Sequence, residues 1–235
     1  ARRAERLLSA AGTGRVIVLP INLGKGAAVR AGMLASVGFG PWALFLDADH
    51  STHINHVTLV ADAAAQGADV VVGSRRAAGA TETHPRPTVR RLLGRTFPML
   101  VGAIARTGVA DTQCGFKALQ NRLIQPVFGE QRVSRFAFDV EMLLRARRAG
   151  AKLAEIPVAW DNPAESTLRV SRDAPTMLRD TIKAAWYLRR SGPTARGLQH
   201  QHGSRPEPAA TKKAGAMVPE TKPDPTPVGP RSVPQ

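Results

Sequence analysis

The sequence has little cysteine, few aromatic residues and no long apolar run. Among its 235 residues there is a single cysteine, Cys114, so no internal disulfide can form and nothing indicates an oxidising compartment. No stretch reaches the roughly 18–20 consecutive apolar residues that cross a bilayer. Residues 1–5 do not lead into an apolar segment, so we expect no signal peptide.

Acidic residues are also scarce, since 33 Lys and Arg face 18 Asp and Glu, a formal net charge of +15. Such a balance predicts attraction to nucleic acid, to an acidic membrane surface or to phosphorylated substrates. Aromatic residues make up only 5% of the chain, and neither a stacking platform nor a zinc motif is visible. We therefore expect no nucleic-acid partner.

The remaining composition supports a folded core, because 43% of the residues are hydrophobic. Strand-like and helix-like segments alternate, which predicts an α/β fold with a mostly parallel sheet flanked by helices. The predicted strands are 15–20, 42–46, 68–73 and 153–160, and the predicted helices are 27–37, 54–66, 121–128, 138–149 and 176–190. Residues 74–87, rich in Gly, Thr, Pro and Arg, are interpreted as a loop.

The composition changes near residue 192. Nine of the 18 prolines lie in residues 193–234, and aliphatic residues become scarce there. Such a segment cannot bury enough surface to fold. We predict a folded domain at 1–191 and a disordered tail at 192–235.

The stretch 42–50 contains the clearest chemical motif. Its apolar run leads into Asp47 and Asp49, which are one residue apart. A parallel strand ends at the edge where open α/β sheets bind ligands, and residues i and i+2 of extended chain point the same way. Both carboxylates could therefore face one Mg²⁺ or Mn²⁺ ion shared with a diphosphate. The alternative is two solvated aspartates in a loop.

Basic residues near other element ends also suggest phosphates. Lys25 opens a predicted helix, where free N–H groups favour anions, and Arg75 follows a predicted strand. Residues 88–107 form a predicted basic amphipathic helix that includes Arg90 and Arg91. That helix could lie on a membrane surface, or its apolar face could pack on the core.

Five motifs in order resemble the inverting family 2 glycosyltransferases of the GT-A fold, and within them the dolichyl-phosphate or polyprenyl-phosphate glucosyl- and mannosyltransferases. The motifs are Asn22–Met33, Asp47–Asp49, Gly73–Arg75, Asp111–Lys117 and Phe136–Glu141. The resemblance implies a hexose transfer from a nucleotide-sugar to a polyprenyl phosphate. It also implies a protein at the cytoplasmic face of the cell membrane, in peripheral contact with it.

The resemblance also implies roles for individual residues. Asp47 and Asp49 would hold the metal on the donor diphosphate, and Lys25 would border the nucleotide. Arg75 would meet the donor and acceptor phosphates, and Arg90 and Arg91 the lipid phosphate. Asp111 is a candidate base beside the acceptor. A lipid phosphate has a second pKa of about 6 and is largely ionised already, so Asp111 could position groups instead.

The sequence departs from the family at two places. The strands that carry Pro-Ala-Tyr-Asn-Glu and Asp-Asp-Gly-Ser are not found, so we expect an N-terminally truncated chain that lacks the first strand–helix–strand unit. Ser51-Thr52-His53 and Gly94 also differ from the usual residues. The alternative function is therefore a catalytically impaired relative that binds membranes or partners through its basic surface. For an active enzyme the motifs favour UDP-glucose as donor over GDP-mannose.

Overall fold

The computed structural model describes residues 14–83, 105–161 and 170–190, with side chains in the last range described from Pro175 onward. The helices are α1 (Lys25–Ala35), α2 (Val57–Ala65), α3 (Ile124–Phe128), α4 (Phe138–Arg148) and α5 (Val170–Arg190), and the strands are β1 (Trp42–Leu46), β2 (Val70–Ser74), β3 (Thr81–Glu82), β4 (Phe116–Gln120), β5 (Leu153–Pro157) and β6 (Ala159–Trp160). Short 3₁₀ turns at Ile54–His56 and Asn121–Leu123 precede α2 and α3.

The main sheet has the strand order β1-β4-β2-β5. β2 and β5 pair in parallel, whereas β4 runs antiparallel to both of its neighbours. β1, β2 and β5 therefore run in one direction, which confirms the predicted α/β fold with mostly parallel strands. Strand β4 was not predicted, because Lys117 interrupts its apolar run.

Helices cover both faces of the main sheet. Val70 and Val72 of β2 pack in one apolar cluster with residues of α1, α3 and α4. Val71, which points the opposite way, packs in a second cluster with Val60 of α2. Because all three valines are buried, β2 lies at the centre of the core, and its last residue, Ser74, is buried as well.

The last helix, α5, packs against α4. Tyr187 donates a hydrogen bond to Glu141, and Arg145 donates to the Tyr187 hydroxyl across 2.5 Å. Partial burial and the Glu141 carboxylate raise the pKa of Tyr187 to about 12, so its hydroxyl keeps its proton. Across the described part of the chain, no helix is both long enough and apolar enough to span a bilayer.

Three predicted elements differ from the structure. The sequence predicts a strand at residues 15–20, but none is formed there. Val18 is 58% exposed, and no described strand pairs with this segment, so its β-branched residues lack the partner that a strand requires. The predicted loop 74–87 contains β3, which pairs with β6, and the predicted strand 153–160 is interrupted at Val158.

Other predictions lie wholly or mostly outside the described residues. These are the basic helix at 88–107, of which only the last three positions are described, and the tail at 192–235. The remaining predicted helices are present, with ends shifted by a few residues, and α5 begins six residues before the predicted 176.

Candidate functional site

The two aspartates of the Asp-Ala-Asp motif directly follow β1, as the sequence predicts. The Asp47 amide donates to the Gly115 carbonyl across 3.0 Å, which continues the pairing of β1 with the chain before β4. The approach is so close that a Cβ atom at position 115 would lie less than 3.0 Å from both Asp47 carboxylate oxygens. Only glycine therefore leaves Asp47 in this position.

Asp49 is held by the turn that follows it. The Ser51 amide and hydroxyl donate to Asp49 Oδ1 across 3.0 and 2.6 Å. Between Asp49 and Ser51, the backbone of His50 has φ 57°, a left-handed conformation that residues other than glycine adopt only at some cost. Partial burial opposes ionisation of Asp49, but the Ser51 hydrogen bonds and the Lys25 charge outweigh it and lower the Asp49 pKa.

Lys25 forms an ion pair with Asp47, with 2.6 Å between Nζ and Oδ1. It is the first residue of α1, between two glycines that permit close packing. A Cβ at Gly24 would lie 2.6 Å from the Ser134 carbonyl oxygen, and one at Gly26 would lie 2.6 Å from Phe138 Cβ. Burial disfavours the Lys25 charge, yet nearby carboxylates, Asp139 and Asp47 foremost, raise its pKa overall.

Arg75 and Asp111 form the second charged pair. Arg75 Nε and an Nη donate to the two Asp111 oxygens across 2.7 and 2.9 Å, and the Arg75 amide donates across 3.1 Å. The Arg75 guanidinium also lies 5.4 Å from the centre of the Trp160 ring. The pair thus joins the end of β2 to the segment before β4.

The environment of Asp111 limits what it can do. Its side chain is fully buried, and Glu155 accepts hydrogen bonds from the Asp111 and Ala110 amides. Burial disfavours the Asp111 charge, but the Arg75 hydrogen bonds and charge outweigh it and lower the pKa. A carboxylate with both oxygens engaged by one guanidinium is a weak base, so this geometry favours a positioning role for Asp111.

A third charged pair, between Lys117 and Asp139, lies close enough for its charges to act on Asp111 and Lys25. Lys117 Nζ is 2.6 Å from Asp139 Oδ1, and both side chains are buried. Both residues lie in motifs of the sequence, but no local pattern indicates a function for Lys117. The available signal was a lysine within an otherwise apolar run, Phe116-Lys117-Ala118-Leu119.

The structure therefore brings five of the predicted residues to one edge of the sheet. Burial disfavours the Arg75 charge, but Asp111 and, to a smaller extent, Asp47 raise the Arg75 pKa, and Lys25 adds to the Ser51 hydrogen bonds that lower the Asp49 pKa against burial. Lys25, Asp47 and Asp49 thus share one electrostatic environment with Arg75 and Asp111. Arg90 and Arg91 lie outside the described residues.

The two motif carboxylates suit a hard cation that is shared with a ligand. Both are oxygen donors, and Asp49 is held ionised. The described ranges contain no cluster of three or more His, Cys, Asp or Glu side chains that could hold a metal on their own. Magnesium and manganese commonly take one or two protein carboxylates and complete their coordination with water and substrate phosphates. The residues present fit that arrangement.

The chain is similar in sequence to a known family and to several characterised proteins. Residues 4–126 match the family model described as Glycosyl transferase family 2. A dolichyl-phosphate beta-glucosyltransferase of Trichomonas vaginalis is 35% identical over 185 residues, which are 74% of this chain and 52% of that protein. The enzyme of that name from Saccharomyces cerevisiae is 32% identical over 180 residues, covering 72% of this chain and 53% of the relative. The chain spans about half the length of these curated relatives.

Solved structures give the fold. Glucosyl-3-phosphoglycerate synthase from Mycobacterium tuberculosis in complex with UDP superposes with a TM-score of 0.52 at 18% identity, over 78% of this chain and 64% of that one. Its complex with Mn²⁺, UDP-glucose and glycerol 3-phosphate superposes with a TM-score of 0.51, also at 18% identity and with the same coverage. The architecture is the GT-A fold of glycosyltransferases. The chain belongs to glycosyl transferase family 2.

Proposed function

We propose that this protein transfers a hexose, with glucose favoured, from a nucleotide-sugar to a polyprenyl or dolichyl phosphate, with inversion at the sugar carbon and with metal assistance. The observation that carries the proposal is the meeting of the Asp47–Lys25 pair, Asp49 and the Arg75–Asp111 pair at one sheet edge. The names of the curated relatives support the same acceptor and sugar.

The donor half of the proposed site consists of Asp47, Asp49 and Lys25. The two carboxylates would hold Mg²⁺ or Mn²⁺, and such an ion neutralises charge on a diphosphate. Lys25 combines an ammonium group with the first turn of α1, where free backbone N–H groups favour anions. When a donor is bound, the Lys25 ammonium group can pair with a negatively charged phosphate oxygen in place of the Asp47 carboxylate.

The acceptor half consists of Arg75, held by Asp111. An oxygen of the lipid phosphate forms a bond to the anomeric carbon of the sugar. The bond from that carbon to the donor diphosphate breaks, and its electron pair leaves with the nucleoside diphosphate. Attack from the opposite side inverts the carbon. A phosphate dianion carries no proton on the attacking oxygen, so orientation and charge stabilisation by Arg75 are sufficient, and Asp111 keeps the guanidinium in place.

The outer face of α5 supports contact with a membrane surface. Ile182 and Trp186, one helical turn apart, are 48% and 56% exposed, and the Arg190 guanidinium lies 4.0 Å from the centre of the Trp186 ring. Arg179 and Lys183 are exposed beside them. Trp and basic side chains together favour the interface of an anionic bilayer. We propose peripheral attachment at the cytoplasmic face, with Arg90 and Arg91 near the lipid phosphate.

On this proposal the glycosyltransferase domain is 1–191, and 192–235 is a tail outside it. The function is tested by incubating the protein with Mn²⁺, radiolabelled donor and polyprenyl phosphate, and by extracting labelled lipid. We expect product with UDP-glucose, less with GDP-mannose, and none when a polyprenyl alcohol replaces the phosphate. Equal transfer to the alcohol would contradict the acceptor chemistry. Vesicle binding without any transfer would favour the alternative of an inactive membrane-binding relative.

A further inference from the structure

Lys117 is a charged side chain in the middle of the sheet. It belongs to β4, opposite Phe45 of β1 and Val72 of β2, and it is fully buried. Val72 and Leu119, on the same face of the sheet, belong to the apolar core. A buried ammonium group costs free energy unless it is paired and hydrogen-bonded, and an apolar side chain would fill the space without that cost. The contacts of its ammonium group therefore need an explanation.

Those contacts join a helix to a loop. Lys117 Nζ donates to Asp139 Oδ1 across 2.6 Å and to the Cys114 carbonyl across 2.5 Å. Asp139 lies in the first turn of α4, where a carboxylate is favoured by the helix dipole. The ammonium group therefore ties the chain just before β4 to the N-terminus of α4.

The segment tied in this way, residues 111–117, touches both halves of the site. Gly115 accepts the Asp47 amide through its carbonyl, and because it has no Cβ it leaves room for the Asp47 carboxylate. Asp111, at the start of the segment, holds the Arg75 guanidinium through two hydrogen bonds. A shift of this segment would move a proposed metal ligand and the proposed phosphate-binding arginine together.

We propose that Lys117 and Asp139 are positioning residues, which fix segment 111–117 so that Asp47 and Arg75 keep their positions relative to each other. The inference rests on the proposed function for its consequence, since the two residues act through Asp47 and Arg75. Its structural part, the fixing of the segment, can be measured without any transfer of sugar.

A purely structural role makes a different prediction for an apolar replacement of the pair. Well-packed hydrophobic residues often replace a buried ion pair without loss of stability. In the double variant Lys117→Met/Asp139→Leu, nothing at position 117 or 139 can donate to the Cys114 carbonyl. A structural role predicts that segment 111–117 behaves normally once stability is restored, whereas a positioning role predicts that the segment loosens in a stable protein.

The experiment compares the full chain with this double variant and with a control pair, Arg122→Met/Asp69→Asn. The control removes an ion pair of 2.7 Å between a turn and the start of β2. Thermal unfolding, amide hydrogen exchange and Mn²⁺ binding by electron paramagnetic resonance are measured on each. We expect the backbone amides of segment 111–117 to exchange about tenfold faster in the double variant, which corresponds to loss of one hydrogen bond to a charged group. Exchange of the β2 amides should be unchanged. Mn²⁺ should bind several-fold more weakly to it, and the control should match the parent in both readouts.

If the double variant fails to fold, Asp139→Asn is measured in its place, because it keeps the shape and an acceptor for Lys117 Nζ while removing the charge. We then expect faster exchange of segment 111–117, by a smaller factor. Unchanged exchange in that segment, in either variant that folds, overturns the proposal. Altered exchange and Mn²⁺ binding without any sugar transfer in the parent protein would contradict the proposed function and leave the positioning role standing.

Discussion

Lys25 and Asp47 form an ion pair of 2.6 Å at the edge of the sheet, between the first residue of one helix and the first residue after a strand. The pair puts a cation beside a carboxylate that is proposed to hold a metal ion. Two positive charges compete for the same oxygen atoms, so a metal and Lys25 cannot both be close to Asp47 without mutual repulsion. The pair therefore makes a clear prediction about metal affinity.

Lys25→Met should strengthen Mn²⁺ binding and weaken nucleotide binding. Removal of a neighbouring positive charge is worth roughly 1 kcal/mol or more near a protein surface, which corresponds to about a tenfold lower Kd for Mn²⁺ in the absence of nucleotide. The affinity for UDP should fall, because one phosphate contact is lost. Lys152→Met is the control, because Lys152 is an exposed lysine directly before β5, at the end of the strands opposite to Asp47. Weaker Mn²⁺ binding by Lys25→Met would show that Lys25 does not compete for Asp47.

Gly115→Ala should displace Asp47. The added Cβ would lie less than 3.0 Å from both carboxylate oxygens, so the side chain must leave its position. We expect Mn²⁺ affinity to fall at least tenfold, as judged by titration, while circular dichroism remains that of a folded protein. Gly32→Ala is the matched control, because its Cβ would meet nothing within 4 Å and alanine is the better helix former. Equal Mn²⁺ affinities in the two variants would argue against Asp47 as a ligand.

The Arg75–Asp111 pair should give a pH-dependent stability. The folded-state pKa of Asp111 is lowered from its ordinary 3.8, so the pair contributes fully above about pH 4 and its contribution is lost as the pH falls through the folded-state value. Asp111→Asn should lower the free energy of unfolding at pH 7 by about 2–4 kcal/mol, since it leaves Arg75, which is 29% exposed, without its partner.

Urea unfolding from pH 7 down to pH 2 measures both effects. The parent protein should lose stability more steeply below pH 4 than Asp111→Asn does, so the two curves should approach each other at low pH. Parallel curves over the whole range would mean that Asp111 is not held ionised by Arg75.

The outer face of α5 should bind anionic membranes. Trp186→Ser should reduce binding to vesicles of phosphatidylcholine with phosphatidylglycerol by about tenfold, because the exposed tryptophan side chain would bury a large apolar area in the bilayer interface. Binding should also fall as salt is raised, since basic residues flank the tryptophan. Phe39→Ser is the control, because Phe39 is 80% exposed on another part of the surface. Similar losses in the two variants would indicate non-specific binding.

The sequence supplies the proposed site residues more readily than the contacts between them. An apolar run followed by two aspartates correctly indicates a strand with carboxylates at its end, because that pattern is local. Arg75 and Asp111 are each recognisable, but they lie 36 residues apart, and no local rule pairs them. The close approach of Gly115 to Asp47 likewise depends on a strand pairing that periodicity does not reveal.

Two errors have a common physical origin. Residues 15–20 have β-branched side chains but no described strand beside them, whereas β4 carries a lysine and is nonetheless a central strand. Strand formation depends on partners in the sheet as much as on residue type. Lys117 is compatible with a buried strand only because Asp139 and the Cys114 carbonyl, which are distant from each other in sequence, receive its ammonium group.

The carboxylates at the end of β1 are proposed to serve sugar transfer to a lipid phosphate. The most direct measurement is the rate of labelled glycolipid formation from UDP-glucose and polyprenyl phosphate, with Mn²⁺, by the parent protein, by Asp49→Asn and by Asp62→Asn, an exposed carboxylate on α2. We expect transfer by the parent and by Asp62→Asn, and a rate at least about a hundredfold lower for Asp49→Asn. Equal rates for Asp49→Asn and the parent would contradict it.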